Sequence, residues 1–228
     1  MAKELAVTTK KVTDLQVVQG LTNLVRQVKE DLASSKAYFE ANADFGADRF
    51  ASVSFLSKNQ RGQFIDHGND KENLGDFVYA IFTGGAKLFT LWVEGEDRPL
   101  IQTADRAEAI DYIYKGKEAE DPRFELISEE NLKQEYLADL VLLNQEDLRI
   151  IAEGGEIPEV KLKRLRLSPV GKIRFDEYMQ KLFKGSFPEF KKNTTLNSVI
   201  TKIYTVDEKS RSNLSYINYA FSPVSEMF

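Results

Sequence analysis

The residues best suited to chemistry in this chain are cations set at alternate positions, with aromatic rings elsewhere to complement them. The stretch VKLKRLRLSP (160–169) carries Lys161, Lys163, Arg164 and Arg166 among Val160, Leu162, Leu165 and Leu167. Lys172, Arg174 and Lys202 follow it. Side chains alternate between the two faces of a strand, so these cations are expected to share a face opposite the leucines. The alternation slips at Arg164, which predicts a β-bulge. A cationic face of this kind could track a phosphate backbone. Lys58, Arg61 and Lys87 add cations upstream, and Phe64, Tyr79, Phe89, Trp92 and Tyr204 are candidate stacking rings. Stacking on a single strand is worth about 1–3 kcal/mol per base. Rings in strands more often fill a core. Phe77, Tyr79 and Ile81 share one face of their strand, with Val78, Ala80 and Phe82 on the other. Both faces are apolar, so the strand is either sandwiched or binds something on one side. The loop KNQRGQF (58–64) reads equally as a phosphate-contact loop or a hairpin turn.

The charge distribution singles out the same stretch. The 228-residue chain has a net charge of −5. Residues 94–159 hold 7 basic and 19 acidic side chains, whereas residues 160–204 hold 11 basic and 3 acidic ones. A basic block on an acidic chain is either an anion-binding surface or a set of solvated faces.

Other chemistries are poorly supplied. The chain has no cysteine and one histidine, His67, in a Gly/Asn/Asp-rich loop. This excludes disulfides, Cys nucleophiles and thiolate metal sites, and argues against a Ser-His-Asp triad or an HExxH zinc site. No GxxxxGK[ST] or GxGxxG occurs. Glu94, Glu96, Asp97 and Asp105, and likewise Asp66, His67 and Asp70, read as chance clusters in acidic or solvated segments rather than metal sites. The expectation is a non-enzyme without cofactor or metal. No apolar run approaches the roughly 18 residues of a membrane span, and the N-terminus lacks a signal-peptide apolar region. A cytoplasmic protein without membrane contact is expected.

The positioning elements follow from periodicity. Residues 1–12 read as a flexible arm. A helix is predicted near 13–41, with Val18, Leu21, Val25, Val28 and Leu32 as one stripe. That stripe fits packing on its own domain or a seam between copies of the chain. Strands are predicted at 50–56, 76–85 and from Lys87 onward, the last two joined at Gly84-Gly85 as a two-residue hairpin. Residues 104–115 read as a short helix with Ala107, Ile110 and Ile113 or Tyr114 inward, and 116–135 as an exposed acidic excursion. Residues 136–144 and 147–153 read as a hairpin about Asn144-Gln145-Glu146. Ser168, Pro169 and Gly185 bracket a helix with Phe175, Tyr178, Met179, Leu182 and Phe183 on its buried stripe. Residues 195–208 and 213–224 form a final hairpin. The division expected is a helical segment (13–45), one domain (46–224) with an acidic insertion at 94–135, and a C-terminal tip (225–228). The fold class expected is mainly β (α+β), an OB-like antiparallel β-barrel with an N-terminal helix and a helix inserted before the last hairpin.

Residues 160–222 resemble the C-terminal half of single-stranded-DNA-binding-like proteins of bacteriophages. The matching positions are Leu165, Leu167, Pro169, Phe175, Tyr178, Leu182, Val199, Thr201, Lys202, Ile203, Tyr219 and Phe221. The resemblance implies an OB-fold, sequence-nonspecific binding of single-stranded DNA, and a role in phage DNA replication or recombination. It also implies recruitment of replication or recombination proteins by the acidic–apolar tip SPVSEMF. The alternative is a phage or mobile-element protein that binds another protein, as inhibitor or scaffold, through the acidic 94–159 surface or the 13–41 helix.

Overall fold

The computed structural model describes residues 14–41, 53–68, 71–93, 99–209, 213 and 215–224. The expected arm at 1–12, the tip at 225–228, Asp70 and the acids Glu94, Glu96 and Asp97 lie outside these. Among the described residues there are four α-helices: α1 (Asp14–Ala41), α2 (Arg106–Glu118), α3 (Gln145–Ala152) and α4 (Pro169–Lys184). One sheet holds nine strands: β1 (Ser54–Lys58), β2 (Phe64–Asp66), β3 (Glu72–Gly75), β4 (Phe77–Leu91), β5 (Ile101–Thr103), β6 (Leu132–Leu143), β7 (Lys161–Leu167), β8 (Thr201–Lys209) and β9 (Ser215–Pro223).

The strand order is β3-β2-β1-β7-β6-β4-β8-β9, with β5 on the far end of β4. The β1–β7 pair is parallel and the other pairs are antiparallel, so the sheet is mixed. It curls until its distant parts touch. Thr205 Oγ1 donates to the Gly62 carbonyl at 3.0 Å, and the Phe64 and Tyr219 rings lie 5.9 Å apart. The result is a half-barrel, an α+β arrangement around a curled sheet. Its interior is filled by Leu56, Phe64, Val78, Ala80, Phe82, Leu140, Leu165, Ile203 and Tyr219, and Phe175 of α4 packs against them.

The outer face of β4 and β6 carries a second core. Ile81, Val141 and Leu143 meet Leu24 and Val28 of α1 and Leu148 and Ile151 of α3. Much of the expected α1 stripe is therefore spent inside the chain: Leu21, Val25 and Val28 pack there, while Val18 is exposed. The side chain of Leu32 lies outside the description. Gly20 allows the close approach of α1 to α3, because a Cβ there would fall 1.9 Å from the Ile151 carbonyl oxygen.

Several expectations are corrected. Gly84-Gly85 is not a hairpin. Strand β4 runs through it and pairs with β6 from Tyr79 to Leu91, with a register shift between Phe82 and Gly84. The long continuous ladder outweighs the local turn preference of two glycines; Gly85 instead allows the close approach of β6, since a Cβ there would fall 2.6 Å from the Leu137 carbonyl oxygen. Residues 147–153 are not a strand. Asn144 accepts from the Asp147 amide at 2.8 Å and Asp147 accepts from the Asn144 amide at 2.9 Å, a reciprocal cap that starts α3. Strand β7 has no bulge, since its register with β6 is unbroken from Leu142↔Lys161 to Tyr136↔Leu167. In α2 the buried residues are Ala109 and Ile113, while Ala107 and Tyr114 are exposed. The stretch after α2 is not simply an exposed excursion. Phe124 and Ile127 are buried with Ile113 and Leu91, so the acidic segment builds a small lobe of its own at the end of the β4–β6 ribbon.

Helix α4 starts and stops as expected. Ser168 Oγ accepts from the Gly171 amide, Pro169 occupies the first turn, and Gly185 ends the helix at φ 66°. Phe183, expected on the buried stripe, is 62 % exposed.

Candidate nucleic-acid interface

Strand parity decides where the cations go. With no bulge in β7, Lys161 and Lys163 share a face with Leu165 and Leu167, whereas Arg164 and Arg166 share the other with Leu162. The single cationic face expected from the sequence does not exist. The aligned residues are also not free. Lys163 Nζ lies 2.7 Å from Asp66 of β2 and 2.7 Å from Ser54 Oγ. Burial pushes the Asp66 carboxyl up, but the Lys163, Gly68 and Ser54 hydrogen bonds outweigh it and hold its pKa below the usual carboxylate range. Arg164 is buried against Asp139, its cross-strand neighbour, at 2.7 Å. Arg166 sits 3.5 Å from Glu135 and over the Phe55 ring. Lys172 pairs with Asp176 one turn on, and Arg174 bridges Glu177 and Glu208. The carboxylates that neutralise the block come mostly from β2, β6 and β8, which no reading of the block alone could reveal.

Phe64 is fully buried in the barrel, where it cannot stack a base. Arg61 is exposed in the β1–β2 turn, whose tip is held by Asn59 accepting from the Arg61 and Gln63 amides. That geometry is an ordinary hairpin turn. Lys58 lies 4.2 Å from the centroid of Tyr219, and burial lowers its pKa. Trp92 is half-buried just beyond β4.

Two groups of expected residues do come together. The first is on the outer face where β4 meets β8. Phe77 lies opposite Tyr204 and Tyr79 opposite Lys202, so four side chains form a two-by-two array. Lys202 Nζ is 4.1 Å from the Phe77 centroid, and the Phe77 and Tyr79 rings meet edge-on at 5.4 Å. Phe77 is 40 % exposed, and Lys202 makes no ion pair among the described residues. Phe77 and Tyr79 also line a cleft of about 470 Å³ at the mouth of the half-barrel, with Asn144, Gln145 and Lys161. Asp66, Glu72 and Asp76 line it too. Parity had placed Phe77 beside Tyr79. Its exposure follows from position, because α1 and α3 cover Ile81 and part of Tyr79 but stop short of the strand's first residue.

The second group lies on the concave face of the ribbon, between the α2 lobe and α4. Lys87 is over the Phe89 ring and Lys172 over the Tyr136 ring, each at 5.1 Å. Lys87, Tyr136 and Lys172 line a cleft of about 520 Å³ floored by Phe82, Leu167, Phe175 and Met179. Tyr136 carried no sequence signal beyond its type.

The array on β4 and β8 can do two things chemically. Its rings offer π-faces to bases, and Lys202 and Lys161 offer charge to phosphates. Among the described residues no three His, Asp or Glu side chains gather as a metal site, and no helix is long and apolar enough to cross a membrane. Comparison of the chain with protein-family models, with curated proteins and with solved structures finds no match.

Proposed function

We propose that this protein binds single-stranded DNA without sequence preference, on an OB-like half-barrel, in phage DNA replication or recombination, and without catalysis. The observation that carries the reading is the array of Phe77, Tyr79, Lys202 and Tyr204, in which a cation with no ion pair among the described residues lies among partly exposed rings. Lys161, exposed beside the same cleft and without an ion pair among the described residues, extends it. This site replaces the β7 face as the binding surface, because the β7 cations other than Lys161 are already neutralised by carboxylates.

The test is fluorescence anisotropy of a labelled oligo-dT, titrated at low and moderate salt beside the matching duplex. The reading expects binding to the single strand that weakens steeply as salt rises. It also expects loss of that binding in the Phe77→Ala/Tyr204→Ala variant. Absence of binding at low salt overturns it.

A further inference from the structure

Two exposed surfaces take no part in that site. One is the last turn of α4 and the loop after it. Phe183 is 62 % exposed there, and Lys181, Lys184, Lys191 and Lys192 are exposed without ion pairs among the described residues. The loop folds back on the helix, with the Asn193 amide donating to the Phe183 carbonyl at 2.9 Å and Lys192 packed against Gly185. The four lysines thereby belong to one end of α4, with Glu189 the one acid between residues 181 and 192.

The other surface is the tip of the α2 lobe. Leu126 is 92 % exposed. Glu125 beside it, and Glu120 and Glu130 nearby in the chain, are exposed and make no ion pair among the described residues. Residues 104–131 hold nine acidic side chains against four basic ones.

Each surface combines a net charge, positive at the α4 end and negative at the α2 tip, with a bare apolar side chain. The net charges are opposite, and the two apolar side chains give such a contact an anchor on either side. We infer that the α2 tip of one copy docks on the α4 end of another. The two surfaces differ, so the contact is heterologous and repeats head to tail instead of closing as a two-fold dimer. It needs no nucleic acid and stands apart from the function proposed above. It also places self-association on a surface other than α1, whose stripe is largely covered by α3 and the sheet.

The experiment is sedimentation velocity on the full chain without nucleic acid, across a concentration series at low salt and at about 0.5 M salt, where charge attraction is strongly screened. The expected result at low salt is a weight-average mass that climbs with concentration past twice 26.0 kDa, with no plateau at the dimer, and a return to monomer at high salt. Lys181→Glu/Lys184→Glu and Glu125→Lys/Glu130→Lys should each remain monomeric, and mixing the two should restore assembly. Leu126→Ser, at the most exposed apolar position, should weaken assembly at least several-fold; its folding is checked by a thermal melt. A chain that stays monomeric at low salt, or assembly that survives both charge reversals, overturns the inference. So does a mixture that stays monomeric. Loss of oligonucleotide binding in Lys181→Glu/Lys184→Glu, with the unmodified chain monomeric, would assign the α4 end to nucleic acid instead.

Discussion

The basic block divides into two populations that its composition cannot distinguish. Lys163, Arg164, Arg166, Lys172 and Arg174 are each neutralised by a carboxylate within the chain. Lys161, Lys181, Lys184, Lys191, Lys192 and Lys202 make no ion pair among the described residues. The first group sits on β7 and the first turns of α4, facing strands that carry Asp66, Glu135, Asp139 and Glu208. The second sits at strand starts, at the helix end and in the loop after it. A cation on a central strand has cross-strand neighbours at close range, and a carboxylate there favours folding only if it is paired. A cation at an element's end has solvent for a neighbour and keeps its charge for a partner. Local charge density therefore identified the block, and position within the sheet decided which members serve the fold.

The largest expected effect comes from the paired group. Arg164→Ala leaves Asp139 without its partner in a largely buried setting, and should cost about 3 kcal/mol of stability. The check is a urea melt beside an oligonucleotide titration: the melt should shift while affinity of the folded protein stays unchanged. A variant that kept its stability and lost affinity would erase the division between the two groups. Next comes the array on β4 and β8. Phe77→Ala should weaken single-strand binding by about 1–3 kcal/mol, the worth of one stacked base, while changing stability far less. Equilibrium titrations with Lys202→Gln sharpen the same contrast, since this variant should also flatten the salt dependence.

Acid titration gives the third test. The Asp66 carboxyl is held below its unfolded pKa, so its contribution is fully present above the unfolded value and is lost as pH falls through the folded one. Stability of the unmodified protein should thus drop on acidification through that range more than that of Asp66→Asn. Equal acid sensitivity in the two proteins would show that the Lys163–Asp66 pair adds nothing to folding. The smallest effect is at the surface. Arg174, half-exposed against Glu177 and Glu208, should contribute no more than about 1 kcal/mol when replaced by Gln. A larger loss in a thermal melt would move it from the solvated pairs to those that hold the fold.

Features written in a few neighbouring residues were legible. Ser168, Pro169 and Gly185 bound α4 because capping needs only the local backbone. The apolar stripe of α1 and the strand character of 161–167 followed from spacing alone. Other features carried conflicting local signals. Asn144 and Asp147 form a reciprocal cap that was available in the sequence, yet the apolar run beside it read as a second strand. Gly84-Gly85 had the chemistry of a turn, but its pairing with Asp139 and Ala138 holds it within a strand. Phe183 continued a helical apolar stripe and ended outside the core, because the interior is already filled by Phe175, Tyr178 and Leu182.

By itself the sequence determined the absence of thiol chemistry, the presence of a basic block in an acidic chain, most of the elements and the pairing of Phe77 with Tyr79 on one strand face. These depend on residue type and on periods of two or about 3.6, which are properties of the chain at short range. Only the tertiary structure decided which cations remain available, that β1 runs parallel to β7, that the acidic stretch builds a lobe over Phe124, and that Phe77 meets Lys202 and Tyr204. Each of those depends on partners far away in sequence, and strand order and register bring such partners together without leaving a local signal.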